Sequence, residues 1–490
     1  MNADFDFQVI FDFTSAKPVV VEPSAEQISS DAGLLPLRQL DEQLGLTRQI
    51  AGALMDPRHQ EYVDHSFLDM TRMRVYGIIA DYPDQNDHDV LRSDPIFKLI
   101  CDRSIDDGDL ASQPTLSRFE NSIDVGSFFR LRDVVIDQFI ASFDKPPTRL
   151  TLDMDPFDDP THGQQQLTFF HGYYDQYQYL PRVITCAEND LVLDLCLLYG
   201  SAHPALGADT DLAYVVGRLR QAWPGVRIHF RGDSGFGVPK VYSACEHLDI
   251  EYTIGIGMNS RLQKLSESLL EEAVARFDAT GEPQRLFCAF WYRADSWPAQ
   301  RWVVVKCEAN SEGTNRRAVV SNRPGATVMP AACYDEYADR GESENRNKEL
   351  KCGLQADRLS DHRYFANLFR LYLHATAHNL LVRTRRIVVD PPTEPVAINS
   401  LGEVTEPDVP VEALAGRRRR QWHNHRREHD PLGEGQPCTW RTRLIKVAAY
   451  VSESARRVVV RLSSSWPYLN HFAKVSQKIL ARGRASFDSS

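Results

Sequence analysis

The chain has 490 residues, of which 42% are hydrophobic and 25% charged, proportions ordinary for a folded protein of about two to four domains. This composition excludes a wholly disordered chain. No run approaches the roughly 18–20 apolar residues needed to cross a bilayer, so no membrane contact is expected. The first residues are acidic and lack the basic and apolar regions of a secretion signal, so we expect a cytoplasmic protein.

The cysteines give no sign of a cross-linked or metal-bound framework. The chain contains nine of them, an odd number, and no C-x-x-C pair. This usage argues against a set of disulfides and against a structural zinc site. The expectation is therefore reduced and mostly buried thiols.

Charge is divided unevenly along the chain, although the net charge is −11. Residues 340–490 contain 26 Lys and Arg and 16 Asp and Glu, a net of +10, whereas the first 339 residues contain 30 and 51, a net of −21. Such asymmetry favours a polyanionic partner for the basic part. The densest basic run is Arg417, Arg418, Arg419 and Arg420, which is either a nucleic-acid contact or a solvated, disordered face.

The N-terminal part of the chain is predicted to be helical. Leu34, Leu37 and Leu40 recur at helical spacing, and apolar residues continue such patterns over residues 33–130. We therefore expect a helical N-terminal domain over residues 1–135.

The segment LASQPTLSRFEN, residues 110–121, predicts a short capped helix. Ser112 is a favourable N-cap, and Pro114 stands in the first turn, where proline is tolerated. Ser117 and Arg118 would then lie on the surface of a helix that could contact DNA as in a helix-turn-helix motif. An ordinary capped surface helix is the alternative interpretation.

From residue 148 the pattern changes to strands alternating with helices. In TRLTLDMD, Leu150, Leu152 and Met154 alternate with polar residues, which is the period-2 pattern of a strand. The segments that continue the alternation are strands at 166–170, 180–186, 191–197, 226–230 and 251–257 and helices at 210–222 and 238–247. This order predicts an α/β class.

Residues 259–330 depart from that alternation and predict a β-rich insertion. A helical stretch rich in Leu and Glu precedes strand-like runs at 286–292, 302–307 and 317–321. The segments that follow are helical at 335–386, proline-rich and linker-like at 390–410, and helical at 441–482.

Three carboxylates stand where an α/β sheet would present them. Asp155 ends the first strand, Asp233 follows the strand at 226–230, and Glu344 lies on a helix far downstream. Oxygen ligands from separated Asp and Glu residues suit Mg²⁺, and two such ions can clamp the attacking and leaving oxygens of a phosphoryl displacement. Solvated or turn-capping carboxylates are the alternative.

The segment around Glu344 carries further chemistry. Tyr337, Arg340, Glu344 and Lys351 are spaced by 3, 4 and 7 residues, which places all four on one face of a helix. The two cations would then grip phosphates on either side of a metal-bound one. The alternative is an exposed face held by ion pairs of Glu344 with Arg340 and with Lys348.

These residues form the signature Y-x2-R-x3-E-x6-K, and the sequence resembles the bacterial DDE insertion-sequence transposases. The resemblance is closest to the IS thirteen-eighty group of the IS-four superfamily. The blocks YPDQNDHDVLRSDP, LASQPTLSRFEN, LDMDPFDDPTHGQQ and RGDSGFGVP support it. It extends from about residue 30 to residue 480.

The resemblance implies an α/β fold with an RNase H-like catalytic core, a mixed sheet with flanking helices. A β-rich insertion would interrupt the core, between a helical N-terminal DNA-binding domain and a helical, basic C-terminal region. The implied units are an N-terminal domain (1–135), the first part of the core (145–258), the insertion (259–330), the second part of the core with the glutamate helix (331–388), a linker and basic segment (389–440) and the C-terminal region (441–490).

The resemblance also implies cut-and-paste DNA transposition. The partner would be double-stranded DNA, both the terminal inverted repeats of the element and the target. A homodimer would bind this DNA and would be associated with the nucleoid when bound. Water would cleave each end, and the freed 3′-hydroxyl would later attack target DNA. In related transposases the second-strand cut passes through a DNA hairpin.

The resemblance assigns roles to individual residues. Two Mg²⁺ ions would be held by Asp155, Asp233 and Glu344, and Mn²⁺ would be able to substitute for Mg²⁺. The residues that position flanking phosphates would be Tyr337, Arg340 and Lys351. Asp153 shares the strand face of Asp155 and stays the alternative first ligand, because Pro156 and Phe157 depart from the family pattern there. Ser234 stands where many members have an arginine.

Two further points stay open at this level. One of Trp291, Trp297 and Trp302 would stack on a base expelled from the duplex, with core packing as the alternative for each. The rivals to a transposase are a metal-dependent nuclease or resolvase that cuts without joining, an inactive transposase-derived DNA-binding regulator, and an unrelated acidic hydrolase.

Overall fold

The fold is taken from a computed structural model that describes residues 8–11, 17, 19–23, 26–388, 397–398, 404–406 and 435–488. The run from Arg417 to Arg420 lies outside these residues, as does most of the predicted linker and basic segment. Across the described ranges, no helix combines the length and apolar character that a membrane crossing requires.

Three short strands come first, whereas helices build the chain from residue 34 to residue 140, in agreement with the helical spacing of its apolar residues. They are α1 (Leu34–Leu44), α2 (Leu46–Gly52), α3 (Phe67–Ile79), α4 (His88–Leu91), α5 (Pro95–Ile100), α6 (Gln113–Asn121) and α7 (Val125–Ile140). The spaced leucines of α1 are buried, because they form the stripe that faces the core. Side chains begin three of these helices: Ser66 forms a capping box with Asp69, and Asp94 and Asp124 accept from backbone N–H groups.

Ten strands form the central sheet. They are β4 (Arg149–Pro156), β5 (Asp159–Pro160), β6 (Phe169–His171), β7 (Gln176–Cys186), β8 (Val192–Tyr199), β9 (Arg227–Gly232), β10 (Glu251–Ile256), β11 (Gln284–Tyr292), β12 (Arg301–Asn310) and β13 (Gly313–Ser321). The chain also has short strands β1 (Val9–Phe11), β2 (Val19–Val21) and β3 (Ile28–Ser29) before them. The mixed α/β class predicted from the sequence is confirmed.

The middle of the sheet combines antiparallel and parallel pairs. β7 pairs antiparallel with both β8 and β4, whereas β4 pairs parallel with β9 and β9 pairs parallel with β10. The parallel strands require helical crossovers, which are α8 (Ala208–Ala222) and α9 (Pro239–His247). Because β4 and β9 run in the same direction, their carboxyl ends meet at one edge, with Met154 opposite Gly232.

The predicted insertion extends this same sheet. After α10 (Ser260–Leu265) and α11 (Glu267–Thr280), strands β11, β12 and β13 form an antiparallel meander. β13 then pairs antiparallel with β10, with Thr253 opposite Ser321. The three predicted strand runs are confirmed, and their pairing makes them the continuation of the core sheet.

The segment after the insertion carries the glutamate. It consists of α12 (Pro330–Ala338), α13 (Arg340–Lys348), a π-helical turn (Glu349–Gly353) and the long α14 (Tyr364–Val388). Tyr337 thus lies at the end of α12, Arg340 and Glu344 on α13, and Lys351 in the π-helical turn. The single regular helix that the spacing predicts is wrong in this detail, because the chain turns at Asp339 and widens into the π-helical turn.

The C-terminal region is only partly helical. The short strands β14 (Ala397–Ile398) and β15 (Val404–Glu406) come first, followed by α15 (Pro437–Trp440) and a π-helical turn (Arg441–Ile445). β16 (Ala449–Ser454) and β17 (Arg457–Leu462) then form a hairpin, and α16 (Leu469–Asp488) follows. The prediction of a helical region over 441–482 is therefore wrong for the hairpin. Val451 and the valine run of β17 favour strands once β3 supplies a pairing partner for β16.

The core is divided mainly between the helices and the sheet. One large cluster joins the N-terminal helices, α14 and the C-terminal region, where Trp440 is fully buried. A second cluster lies between the sheet and α8, α9 and part of α7. Lys446 of the C-terminal region pairs with Asp31 at 2.7 Å, which attaches that region to the N-terminal helices.

Candidate active site

The edge where β4 and β9 end holds two of the predicted carboxylates. Asp155 is the last but one residue of β4 and is only 5% exposed. Asp233 directly follows β9, and its Oδ1 accepts the N–H of Gly235 at 2.8 Å. The parallel register of the two strands therefore brings together residues that are far apart in the sequence.

Arg340 joins Asp155 to the third carboxylate. Its Nη1 donates to Asp155 Oδ1 at 2.8 Å, and its Nη2 donates to Glu344 Oε1 at 2.6 Å. The Ser343 hydroxyl donates to the other oxygen of Asp155 at 3.0 Å. We call this arrangement of Asp155, Arg340, Ser343 and Glu344 the arginine clamp. The Asp155 end of the clamp is buried, whereas the side chain of Glu344 is 61% exposed.

The clamp separates the carboxylates that the sequence predicts as metal ligands. Within the described ranges, no group of three His, Cys, Asp or Glu side chains is close enough to hold a metal ion. The guanidinium of Arg340 stands between Asp155 and Glu344 and neutralises both. Arg340 therefore already occupies one oxygen of Asp155 and one oxygen of Glu344.

The electrostatics of this edge reflect burial next to several acids. Burial, together with the charges of Asp153 and Asp233, raises the pKa of Asp155 to about 7, although Arg340 and the Ser343 hydroxyl oppose the rise. Burial disfavours the charge of Arg340, yet Asp155 and neighbouring groups hold its pKa above the ordinary value. This edge of the sheet thus brings several carboxylates close to Arg340, whose positive charge offsets part of theirs.

Asp153, the alternative first ligand, has a different environment. Both of its oxygens accept from Arg231, with Nε and Nη2 each at 2.6 Å, and the pair is almost completely buried. The same arginine donates to the carbonyl of Glu336 at 2.6 Å, which attaches the strand to α12. Asp153 is therefore engaged in a buried ion pair, whereas Asp155 faces the cavity described next.

Most of the predicted site residues line one cavity of about 310 Å³, which we call the acidic cavity. The residues that line it are Asp155, Pro156, Phe157, Tyr174, Asp233, Arg340, Glu344, Asn347, Lys348, Lys351 and Cys352. Lys351 also pairs with Asp158 at 2.5 Å. The sequence did not lead us to predict that Asp158, Ser343 and Tyr174 belong to the site. Of these three, only Asp158 lies in a block that supports the family resemblance, LDMDPFDDPTHGQQ.

Tyr337 lies beside the acidic cavity and lines a larger one of about 640 Å³. The larger cavity includes Arg340 and Glu344 and continues along the insertion strands past Arg285, Lys306 and Arg317. A Cβ on Gly255 would lie 2.6 Å from the Tyr337 hydroxyl, so the glycine allows the phenol to approach β10. The four signature residues therefore border two neighbouring cavities.

The insertion tryptophans occupy three different positions. Trp297 is buried and contacts Tyr242 and Tyr292 at ring distances of 5.3 and 5.7 Å. Trp291 is 57% exposed and lies 5.5 Å from Trp302, which is partly buried. Core packing thus describes Trp297.

The predicted contact residues of α6 lie apart from both cavities. Arg118 is exposed, and its Nη2 donates to Thr115 at 3.0 Å, while Ser117 is partly buried. Ser112 stands at the N-cap position as predicted, but its side chain contacts Thr115 and caps no backbone N–H. Arg118 is therefore the basic residue that α6 exposes to solvent.

Comparison with known proteins identifies the family. No curated protein sequence matches the chain. The family model described as "Transposase DDE domain group 1" matches residues 11–401, which is 391 of the 490 residues. Because this match includes both strand ends, the insertion and the glutamate helix, the chain belongs to the DDE transposase family.

Proposed function

We propose that the protein is the DNA transposase of an insertion sequence, of the IS thirteen-eighty group, and acts by cut-and-paste. It would bind the terminal inverted repeats of its element, hydrolyse the phosphodiester at each end and join the 3′-hydroxyl ends to target DNA. One observation carries this proposal: Asp155, Asp233 and Glu344 line a single cavity together with Arg340 and Lys351.

The strand order supports an RNase H-like catalytic core. The antiparallel strands β8, β7 and β4 are followed by β9 and β10, both parallel to β4. In this order, the carboxyl ends of β4 and β9 lie side by side near the sheet centre, which is the position of Asp155 and Asp233. The sequence-based division of the chain into domains stays part of the proposal, with the insertion continuing the sheet.

The donor set fits a hard divalent cation. Three carboxylates border one cavity, and the proton affinity of Asp155 is raised by burial and by neighbouring acids. Carboxylate oxygens that concentrate negative charge favour Mg²⁺ or Mn²⁺. Asp155, Asp233 and Glu344 would hold the ions, which when bound would lower the pKa of the attacking hydroxyl and stabilise the departing oxyanion.

The cations of the site would bind the DNA strand. Arg340 forms a bidentate fork that suits phosphate, and its contacts with Asp155 and Glu344 keep it at the mouth of the acidic cavity. Lys351 adds a point charge, and Tyr337 adds a hydroxyl on the side of the larger cavity. Together they would hold the phosphates that flank the one being cleaved.

Outside the cavity, one surface would recognise the sequence of the terminal repeats, and another would attract DNA of any sequence. The outer side of α6, with the partly buried Ser117 and the exposed Arg118, would contact the terminal repeats. Arg417, Arg418, Arg419 and Arg420 lie outside the described residues and would add sequence-independent attraction to phosphates. A homodimer would hold both ends of the element, since joining requires two ends at one target.

The test uses the purified protein, Mg²⁺ and linear DNA carrying the inverted repeats that flank its own gene. We expect 3′-hydroxyl ends at the repeat boundaries and joining of a pre-cleaved end to a target plasmid. Asp233→Asn should abolish both reactions, whereas Asp278→Asn, on the exposed face of α11, should abolish neither. Cleavage without joining would instead indicate the nuclease alternative, and repeat binding without cleavage the regulator.

A further inference from the structure

The long helix α14 buries three arginines, and two of them have a carboxylate partner. Arg370 pairs with Glu120 at 2.5 Å, and Arg385 pairs with Glu349 at 3.0 Å. Arg383 is also buried, with 9% of its surface exposed. Among the residues that the structure describes, however, none forms an ion pair or a hydrogen bond with its guanidinium. A buried charge is unfavourable without a partner of opposite sign, so Arg383 indicates a place for an anion.

The neighbours of Arg383 make its buried charge still less favourable. Arg386 is exposed and lies three residues further along α14, on the same side of the helix. Burial and the charges of Arg482 and Arg386 lower the pKa of Arg383 to about 10, while the charge of Asp144 opposes the shift. At neutral pH the guanidinium is therefore still charged. Arg383 thus lies beside two further cations, an arrangement that an anion bound among them would stabilise.

Two packed helices hold these three arginines. Arg383 and Arg386 lie in the last two turns of α14, and Arg482 lies on α16. Lys478, one turn before Arg482 on α16, donates to the carbonyl of Val388, the last residue of α14, at 2.9 Å. Residues four positions apart share one face of a helix. The face of α16 that carries Arg482 is therefore attached to the end of α14.

Neither the helix end nor the candidate active site explains this cluster of arginines. The carbonyl groups at the end of a helix attract positive charge, which accounts for the exposed Arg386 in the last turn of α14. That attraction does not account for Arg383, whose charge is buried beside two other cations. Arg383, Arg386 and Arg482 line neither the acidic cavity nor the larger cavity next to it. The cluster therefore needs an explanation of its own.

We propose that Arg383, Arg386 and Arg482 form a phosphate-binding site that is separate from both cavities. Guanidinium forks match the oxygens of a phosphate group, and several of them suit its negative charge. The phosphate belongs either to the backbone of bound DNA or to a small free ligand. The site lies in the basic part of the chain, residues 340–490, which favours the backbone of DNA. Phosphate binding here requires no cleavage, so it goes beyond the proposed function.

The first measurement follows the urea midpoint of the full chain as pyrophosphate is added at constant ionic strength. A ligand of the folded protein raises this midpoint, so the wild type should show a rise. Arg383→Leu should lose most of the rise, yet its midpoint without ligand should be unchanged or higher, because an unpaired buried charge is removed. Arg482→Gln should also reduce the rise, and it alters an exposed position only. Arg276→Gln, on the exposed face of α11, is the matched control and should keep the rise.

The second measurement is the affinity for duplex DNA of arbitrary sequence at several salt concentrations, without a divalent ion. If DNA supplies the phosphate, Arg383→Leu combined with Arg482→Gln should reduce the log–log salt slope by about 0.9 for each lost phosphate contact. An unchanged slope with loss of the pyrophosphate effect would assign the site to a free phosphate ligand. The proposal is overturned if the double variant matches the wild type in both measurements. Absence of end cleavage by the wild type would instead refute the proposed function, so the two failures are distinguishable.

Discussion

Replacing Glu344 with Gln separates the role of this residue in the fold from its role in catalysis. The Glu344 side chain is 61% exposed, and the contact that holds it is the 2.6 Å pair with Arg340. An ion pair exposed to this degree contributes about 0–1 kcal/mol to stability. Arg340 keeps Asp155 as a partner in the variant. The free energy of unfolding should therefore fall by less than about 1 kcal/mol.

The same substitution should abolish end cleavage. Removing a group that only supports a metal ligand costs about 10–100-fold in affinity or activity. Because we propose Glu344 as a ligand itself, the cleavage rate should fall by at least the upper end of that range. Affinity for repeat DNA should change little, since Arg340 and Lys351 are still present to bind phosphate.

The assay combines urea unfolding, repeat binding without metal, and cleavage in Mg²⁺. Glu342→Gln is the matched control, because Glu342 lies on the same helix but does not line the acidic cavity. The reasoning is refuted if Glu344→Gln cleaves at more than about a tenth of the wild-type rate, a loss well short of that expected for a ligand. It is also refuted if the control loses as much activity.

Three further substitutions test the packing and the electrostatics. Glu120→Gln should lower the free energy of unfolding in urea by about 3–5 kcal/mol, because Arg74 and Arg370 both pair with this buried carboxylate; a loss below about 1 kcal/mol would contradict this. Burial lowers the pKa of His378 in the folded protein to about 4. As the pH falls below 6.5, the unfolded chain therefore binds a proton at this histidine before the folded protein does, and the folded protein loses stability. That loss should reach about 2 kcal/mol at pH 5. His378→Gln should remove it in urea titrations at pH 5 and 8, and an unchanged difference would refute the assignment. Arg340→Gln should tighten Mn²⁺ binding in calorimetry of the DNA-free protein, because the guanidinium no longer competes for the carboxylates; equal affinities would argue against competition.

The parts of the site that sequence predicted are those encoded locally. The alternation in TRLTLDMD places Asp155 at a strand end, and the glycines of RGDSGFG mark the turn at Asp233. Both predictions need only the period of a strand and the chemistry of a turn. The proximity of the two residues follows from one more rule, that parallel strands share an edge.

The parts that sequence did not predict depend on distant partners. Leu444, Ile445 and Val451 have helix-compatible spacing, yet only the first two lie in a helical turn. Val451 lies in β16, whose neighbouring strand β3 is more than 400 residues earlier in the chain. Likewise, the contact of Tyr174 with the acidic cavity depends on how a turn folds over a strand end. No local period encodes either pairing.

The arginine clamp reconciles two interpretations of the helix around Glu344. The pairing of Arg340 with Glu344 is the ordinary staple of an exposed helical face. A staple does not explain the second contact of Arg340, with an almost completely buried carboxylate 185 positions earlier in the chain. A buried carboxylate needs a compensating cation, and the guanidinium of Arg340 supplies one to Asp155. Arg340 also lines the acidic cavity, so under the proposed function its guanidinium fork would bind a phosphate of the DNA there. The pairing of Arg340 with Glu344 is thus compatible with the proposed catalytic role of Glu344.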